Sequence, residues 1–235
     1  IQHMRVSLEW PKTEIDQGEF TFEGENATLI PTNEAVGLRA FPSLFIGKGW
    51  MNGQPPEAQS ASYPPLDITE TPDPVFLYSQ SYYNFVLTFV SHYAGHFDYV
   101  AIENEESSIL FWGGTSDEYV RMVKTAYKAI HDADPNVIVT NGGFVSSAFG
   151  LCIADDWIDN GITTPEEAYQ MVITYSRAAN ATGSADFTTP ENVQKALARP
   201  ELQATCEKIT YVLANLGGAV DALNFHFHED PEVMY

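Results

Sequence analysis

Glu103, Asn104 and Glu105 are the residues whose types and spacing best fit chemistry: two carboxyls flank an amide directly behind the apolar run Tyr99-Val100-Ala101-Ile102. Carboxyl groups transfer protons when burial or a negative neighbour keeps one of them protonated at working pH. A second group, His226-x-His228 followed by Glu229, sets two imidazoles and a carboxylate on one short stretch. A metal ion would accept that donor set, but no further ligand is evident elsewhere, so a metal-dependent hydrolase stands only as a third reading and no cofactor is implied.

The elements that must position these groups follow from periodicity. An apolar run bounded by helices reads as a buried parallel strand, and the carboxyl end of such a strand is where α/β folds place their chemistry. Residues 3–10 alternate with period two, Met4, Val6, Leu8 and Trp10 on one side and Arg5, Ser7 and Glu9 on the other, which predicts a strand with Arg5 on a solvated face. An irregular connection from Pro11 to Phe22 leads to a short helix over 27–36, stopped by Gly37. A second apolar strand is predicted over 38–46, although Pro42 would cost a ladder bond in a central position. Residues 52–74, rich in Pro, Ser, Gly and Asp, read as a long ordered loop, and a helix over 78–93 turns Phe85, Val86, Phe89 and Tyr93 onto the sheet.

Thr115-Ser116-Asp117-Glu118 has the form of a capping box opening a helix to about 132, with Tyr119, Val123, Ala126, Tyr127 and Ile130 as its buried stripe. A strand over 137–140 ends at Asn141-Gly142-Gly143. Further helices are predicted over 164–181, from Thr189-Pro190, and over 201–216. The last strand, 220–227, would show Ala222, Asn224, His226 and His228 on one face and Leu223, Phe225 and Phe227 on the other. The segment 144–218 holds more helix than one crossover needs. This order predicts a parallel sheet with helical crossovers. No Gly-x-Gly-x-x-Gly follows any strand, and polar residues recur at strand carboxyl ends: Asn104-Glu105, Asn141 and His226-x-His228. Both features favour a (β/α)8 barrel over an open nucleotide-binding sheet.

Composition agrees with one sizeable core: 44% of the 235 residues are hydrophobic, 13% aromatic and 18% charged. The formal charge of -21 would repel nucleic acid and anionic membranes, so neutral or cationic ligands are favoured. A saline habitat and secretion would each explain that acidity. No stretch approaches the roughly 18 consecutive apolar residues of a membrane span. Cys152 and Cys206 are too few for a disulfide scaffold and lack metal-type spacing; two buried free thiols are the first reading and a single disulfide the alternative.

YVAIENEE followed by FWGGTSDEYVRMVKTAYKAIHDADPNVIVTNGGF resembles the fourth and fifth strands of the large clan of (β/α)8 retaining glycoside hydrolases that includes cellulases, β-xylosidases and β-galactosidases. RVSLEWPKTEIDQGEFTF is similar to the clan's second strand, through Arg5, Trp10, Glu14, Gly18 and Phe20. NFHFHED resembles strand six, with His228 where the clan usually has Tyr. Glu106 stands where a proline is common. The resemblance implies that Glu105 is the general acid/base, that Asn104 hydrogen-bonds the sugar 2-hydroxyl, and that Arg5 supports the nucleophile. It also places His226 and His228 at the barrel mouth, where His226 is either a sugar ligand or a satisfied core histidine. Trp50, by its place after the strand over 38–46, either stacks on a sugar or packs under the long loop.

Retention by double displacement needs a protonated carboxyl and an ionised one about 5 Å apart. By the clan's pattern the chain matches strands two to six, so strands one, seven and eight, with the nucleophilic Glu of strand seven, would lie beyond it. Glu229 follows strand six and is not assigned that role, and Glu103 is expected in a buried structural ion pair. The expectation is therefore a partial TIM barrel over 1–235 with a helical insertion at about 144–218. It would belong to a glycosidase acting on oligo- or polysaccharides, extracellular or secreted, with residues 1–235 inactive alone. The alternative is a catalytically silent carbohydrate-binding barrel or fragment.

Overall fold

Strands β1 (His3–Glu9), β4 (Arg39–Phe45), β5 (Tyr99–Ile102) and β6 (Ile138–Asn141) form one parallel sheet in that order. The computed structural model describes residues 2–23, 25–54, 57–179 and 187–226. Two short strands, β2 (Glu14–Asp16) and β3 (Glu19–Phe20), pair antiparallel after a 3-10 turn at Trp10–Lys12. Helices α1 (Glu25–Ala35), α2 (Gln80–His92) and α3 (Ser116–Ala133) make the crossovers. Then follow β7 (Phe144–Val145), α4 (Ser146–Asp159), α5 (Pro165–Ala179), α6 (Pro190–Leu197), α7 (Pro200–Asn215) and β8 (Phe225–His226). The fold is mixed α/β with a parallel sheet, and among the described residues that sheet has four strands and does not close into a barrel.

The chain divides into two compact units, one of Ile1–Gly143 with Tyr211–Asn224, the other of Phe144–Thr210 with Phe225–Tyr235. In the first unit, local signals open two of the three crossover helices. Ser79 caps α2 by accepting the Tyr82 amide, and Thr115 and Glu118 satisfy each other's amides at the start of α3 (2.8 and 3.2 Å). Tyr82, Phe85, Val86, Phe89, Tyr119, Val123, Ala126 and Ile130 are all buried beneath the sheet. Pro42 is tolerated in the interior strand β4. It falls between the isolated bridge Ala40–Phe97 and the two-residue ladder Ser43–Ala101, Leu44–Ile102, so β4 and β5 do not pair at the residue lacking an amide hydrogen.

Four expectations are corrected in this unit. Met4 is 47% exposed, because β1 is an edge strand and nothing described covers its first turn. The connection after Pro11 is an ordered hairpin, tied at its base by the buried Glu14 carboxylate, which accepts the Trp10 indole N–H (2.5 Å) and the Gly18 amide (2.7 Å). Tyr127 is half-buried, with its hydroxyl reaching Asp221 at the surface (3.2 Å), while Met122, Thr125 and Ala129 fill the stripe instead. Finally, 220–224 is not a strand. The Asp221 side chain accepts the Val139 amide (2.8 Å), the Asp221 and Ala222 amides both donate to the Val139 carbonyl, and Asn141 Oδ1 accepts the Asn224 amide (2.7 Å). Side chains thus take the place of ladder bonds, and regular pairing is left to Phe225–His226.

The second unit has its own apolar cluster, Leu151, Ala154, Ala168, Val172, Ile173, Val193 and Leu197, formed where α4, α5 and α6 meet. The helix α4 was not foreseen in the sequence; α5 and α6 open on the predicted caps, Thr164 with Glu167, and Thr189 accepting the Asn192 amide. Cys152 on α4 and Cys206 on α7 are joined by a disulfide across 54 residues, which corrects the reading of two free thiols.

Candidate active site

The chain leaves β5 through a turn with unusual backbone geometry. Glu103 and Glu105 take φ values of +66° and +40°, and with Leu77 they are the non-glycine residues of positive φ among the described residues. Such conformations cost about 1–3 kcal/mol each and persist where the surroundings impose them. Asn104 therefore stands between two strained residues. The surroundings are identifiable. The Glu103 amide donates to the Leu44 carbonyl (3.0 Å), its carbonyl accepts the Ser43 hydroxyl (3.0 Å), and the Glu105 amide faces the Gly142 carbonyl at 3.4 Å. Gly142 packs directly under this turn: a Cβ there would meet Asn104 N, Glu103 C and Ile102 O, each at 2.8 Å.

Arg5 does not lie on a solvated face. Its guanidinium runs under the strand ends, with Nη2 donating to Ser43 Oγ (2.7 Å), the Gly142 carbonyl (3.2 Å) and the Glu103 carbonyl (3.4 Å). One side chain of β1 thus binds groups belonging to β4 and to the ends of β5 and β6. Burial pulls its pKa down, and the charge of Glu105 and the Tyr119 hydroxyl act in the opposite direction. Arg5 and the half-buried Glu105 are therefore close enough to interact as charges.

Glu103 is fully buried and forms no ion pair with a described cation, contrary to expectation. Its Oε1 accepts the Ile46 amide at 2.6 Å. Burial pushes its pKa up to about 8, against the smaller opposing pull of the Ile46 amide and the Ser62 hydroxyl. Two buried phenols border it. The Tyr119 hydroxyl donates to the Ile102 carbonyl (3.1 Å) and accepts the Gly142 amide (3.0 Å); the Tyr82 hydroxyl has no hydrogen-bond partner among the described residues. Burial and the neighbouring carboxyls, Glu103 for both and Glu106 for Tyr119, raise both phenol pKa values.

Trp50 lies half-buried after β4, its indole N–H on the Glu14 carbonyl (3.2 Å) and its ring edge-to-face with Trp10. Trp112 is buried against Tyr119, out of reach of a ligand. The structure thus brings Arg5, Asn104 and Glu105 together in the first unit, which also holds Trp50. His226 belongs to the second unit, on β8 paired with Val145. His228, and Glu229 of the metal reading, lie outside the described residues; among those described, no group of three or more His, Cys, Asp or Glu is arranged to hold a metal. The sequence reading missed Ser43, Gly142 and Tyr119. A glycine directly after a polar strand end was the available signal for Gly142; Ser43 and Tyr119 carried none apart from their places on a strand and a stripe.

No described helix is long and apolar enough to cross a membrane. No protein-family model matches the chain, and no curated protein matches it. Among solved structures, the chain is similar to a family 39 glycoside hydrolase from Bacteroides cellulosilyticus WH2, with 16% identity and a TM-score of 0.47 over 68% of this chain and 30% of that one. It is similar to a glucosidase from Croceicoccus marinus, with 14% identity and a TM-score of 0.47 over 68% of this chain and 35% of the other. It is also similar to an exo-beta-1,4-mannosidase from Opitutaceae bacterium strain TAV5, with 20% identity and a TM-score of 0.42 over 63% of this chain and 26% of the other. The chain therefore spans about a quarter to a third of the length of these three glycoside hydrolases.

Proposed function

We propose that the chain is part of a retaining β-glycosidase of (β/α)8 architecture, matching strands two to six of that barrel with a helical insertion at about 144–218. Glu105 is the general acid/base, Asn104 binds the sugar 2-hydroxyl, and Arg5 supports the nucleophile. Trp50, His226 and His228 are the further sugar-binding candidates. A nucleophilic Glu is expected beyond Tyr235, so residues 1–235 alone would not turn over glycosides. The observation that carries the reading is the turn after β5, where Asn104 and Glu105 leave the carboxyl end of a parallel strand with the Arg5 guanidinium bonded beneath them to the Glu103 and Gly142 carbonyls. A carboxyl on a strained turn at the carboxyl end of a parallel strand has the placement acid/base catalysis uses. The disulfide fits an exported protein acting on oligo- or polysaccharides.

The test is Glu105→Gln in the full-length protein. Hydrolysis of unactivated β-glycosides should disappear, while glycosylation by dinitrophenyl glycosides, which need no protonated leaving oxygen, continues. Azide should then be captured as a glycosyl azide of retained configuration. Wild-type activity in Glu105→Gln would overturn the assignment. Sugar binding by a full-length protein that hydrolyses no glycoside would favour the silent carbohydrate-binding barrel.

A further inference from the structure

We infer that Glu103, a residue no catalytic role requires, is the positioning residue of this site: its carboxyl clasps the end of β4 to the end of β5 and so fixes the turn that carries Asn104 and Glu105. The inference rests on the glycosidase reading for its consequence, but its geometry is independent of it. Oε1 accepts the Ile46 amide at 2.6 Å, one residue beyond the end of β4, while the same residue's amide and carbonyl bond Leu44 and Ser43 of β4. Three bonds from one residue thus converge on a single strand end. They hold Glu103 at a φ of +66°, which a non-glycine residue does not adopt unaided, and so set the direction in which the next two residues leave the sheet.

Burial makes the neutral state the less costly one for this clasp, although the Ile46 amide by itself favours the ionised form. Glu103 is fully buried, and the described groups that act on its carboxyl or feel its charge supply no counter-charge: the Ile46 amide, Ser62 from the long loop, Tyr82 from α2 and Tyr119 from α3. Arg5 is engaged with the Glu103 carbonyl rather than its carboxyl. Ionisation would place an uncompensated charge beneath the turn. A glutamine keeps the accepting oxygen and cannot ionise. A methionine keeps the length and loses the acceptor.

The experiment compares full-length wild type, Glu103→Gln and Glu103→Met on a dinitrophenyl β-glycoside across pH. With this substrate the leaving group needs no acid and deglycosylation uses ionised Glu105, so an alkaline fall in kcat reports on Glu103 rather than on loss of the acid's proton. Glu103→Met should lose about 100-fold in kcat with KM nearly unchanged, the signature of a displaced catalytic group. Glu103→Gln should restore kcat to within about 3-fold of wild type and lack the wild-type alkaline fall, expected where Glu103 ionises, at about 8. Near-wild-type kcat in Glu103→Met, a Gln variant as impaired as the Met variant, or an unchanged alkaline limb in Gln would each overturn the inference. Should Glu103→Met fail to fold, the Gln profile decides alone.

Absence of all hydrolysis by wild type would overturn the glycosidase reading and leave the clasp to amide exchange at Ile46. That amide should be protected in wild type and Gln below the ionisation of Glu103. Fast exchange there would overturn the clasp.

Discussion

The Arg5 guanidinium and the Gly142 carbonyl oxygen are 3.2 Å apart, so a side chain rooted in β1 reaches past β4 and β5 to the end of β6. A parallel sheet is held by backbone ladders along its length, but its carboxyl ends fan into loops where the ladder stops. Here a guanidinium closes that gap. Its planar fork holds Ser43 Oγ with Nε and Nη2 together while Nη2 also reaches the Glu103 and Gly142 carbonyls, a hold that the single ammonium point of a lysine cannot reproduce.

Arg5→Met should therefore destabilise the chain by about 1–3 kcal/mol, because it strips the donor from buried carbonyls. Arg5→Lys should recover less than half of that loss. Urea unfolding of the three proteins checks the order. Equal midpoints for wild type and Arg5→Met would mean that these bonds contribute nothing net.

Glu103 gives stability a pH dependence of definite sign. Its pKa in the folded chain is about 8 against an ordinary value of 4.5, so between these limits the folded state holds a proton that the unfolded state has lost. The stability linked to this group is complete below about 4.5, falls as pH rises, and is gone above about 8. Across that window wild type should lose thermal stability relative to Glu103→Gln. Parallel melting curves for the two proteins would show that Glu103 is ionised throughout.

The position of Asn104-Glu105 was legible because an apolar run ending in polar residues is both a local pattern and the geometry of a strand end. The side on which Arg5 lies was not. Period two sorts residues into two faces, but it does not say which face reaches the strand-end loops and which faces solvent. The end of the chain's described part failed for another reason. Residues 220–224 have strand composition, yet Asp221 and Asn141 offer side-chain groups that compete for the ladder's partners, and such competition is invisible to a periodicity count. The buried state of Glu103 was anticipated but its partner was not, because a backbone amide leaves no mark in sequence.

The disulfide closes a loop of 54 residues around the helical unit, worth about 4 kcal/mol in the chain-entropy model. Reduction, or the double substitution Cys152→Ser/Cys206→Ser, should lower the unfolding temperature of that unit while α2 and α3 keep their amide protection. Thiol titration of the unfolded, unreduced chain should find no free thiol; two would remove the bridge.

A formal charge of -21 makes the folded chain repel itself, and salt relieves this by shortening the Debye length from about 10 Å at 0.1 M to about 3 Å at 1 M. The urea midpoint should rise steadily with KCl over that range. A fall would show that the surface ion pairs, such as Lys195–Glu191 and Lys128–Asp132, outweigh the net repulsion.

Gly142 offers the sharpest local test, because a single methyl group added there has only backbone to displace. The ideal Cβ lies 2.8 Å from Asn104 N, Glu103 C and Ile102 O, closer than Cβ atoms are found in folded proteins, and none of the three can swing aside as a side-chain tip would. Gly142→Ala must therefore push β6 away from β5 or tilt the turn bearing Asn104 and Glu105. Either movement loosens the Arg5 and Tyr119 bonds to Gly142. The expected cost is about 1–3 kcal/mol, the usual range for forced overpacking. In the full-length protein, kcat should fall by about 100-fold, as for a small misplacement of a catalytic group. Gly150→Ala is the control. It lies within α4 with nothing within 4 Å of its Cβ, so there the same change should raise stability by about 0.5–1 kcal/mol through helix propensity. If Gly142→Ala behaves like Gly150→Ala in both stability and rate, the turn after β5 is not packed as described, and the placement of Glu105 loses its support.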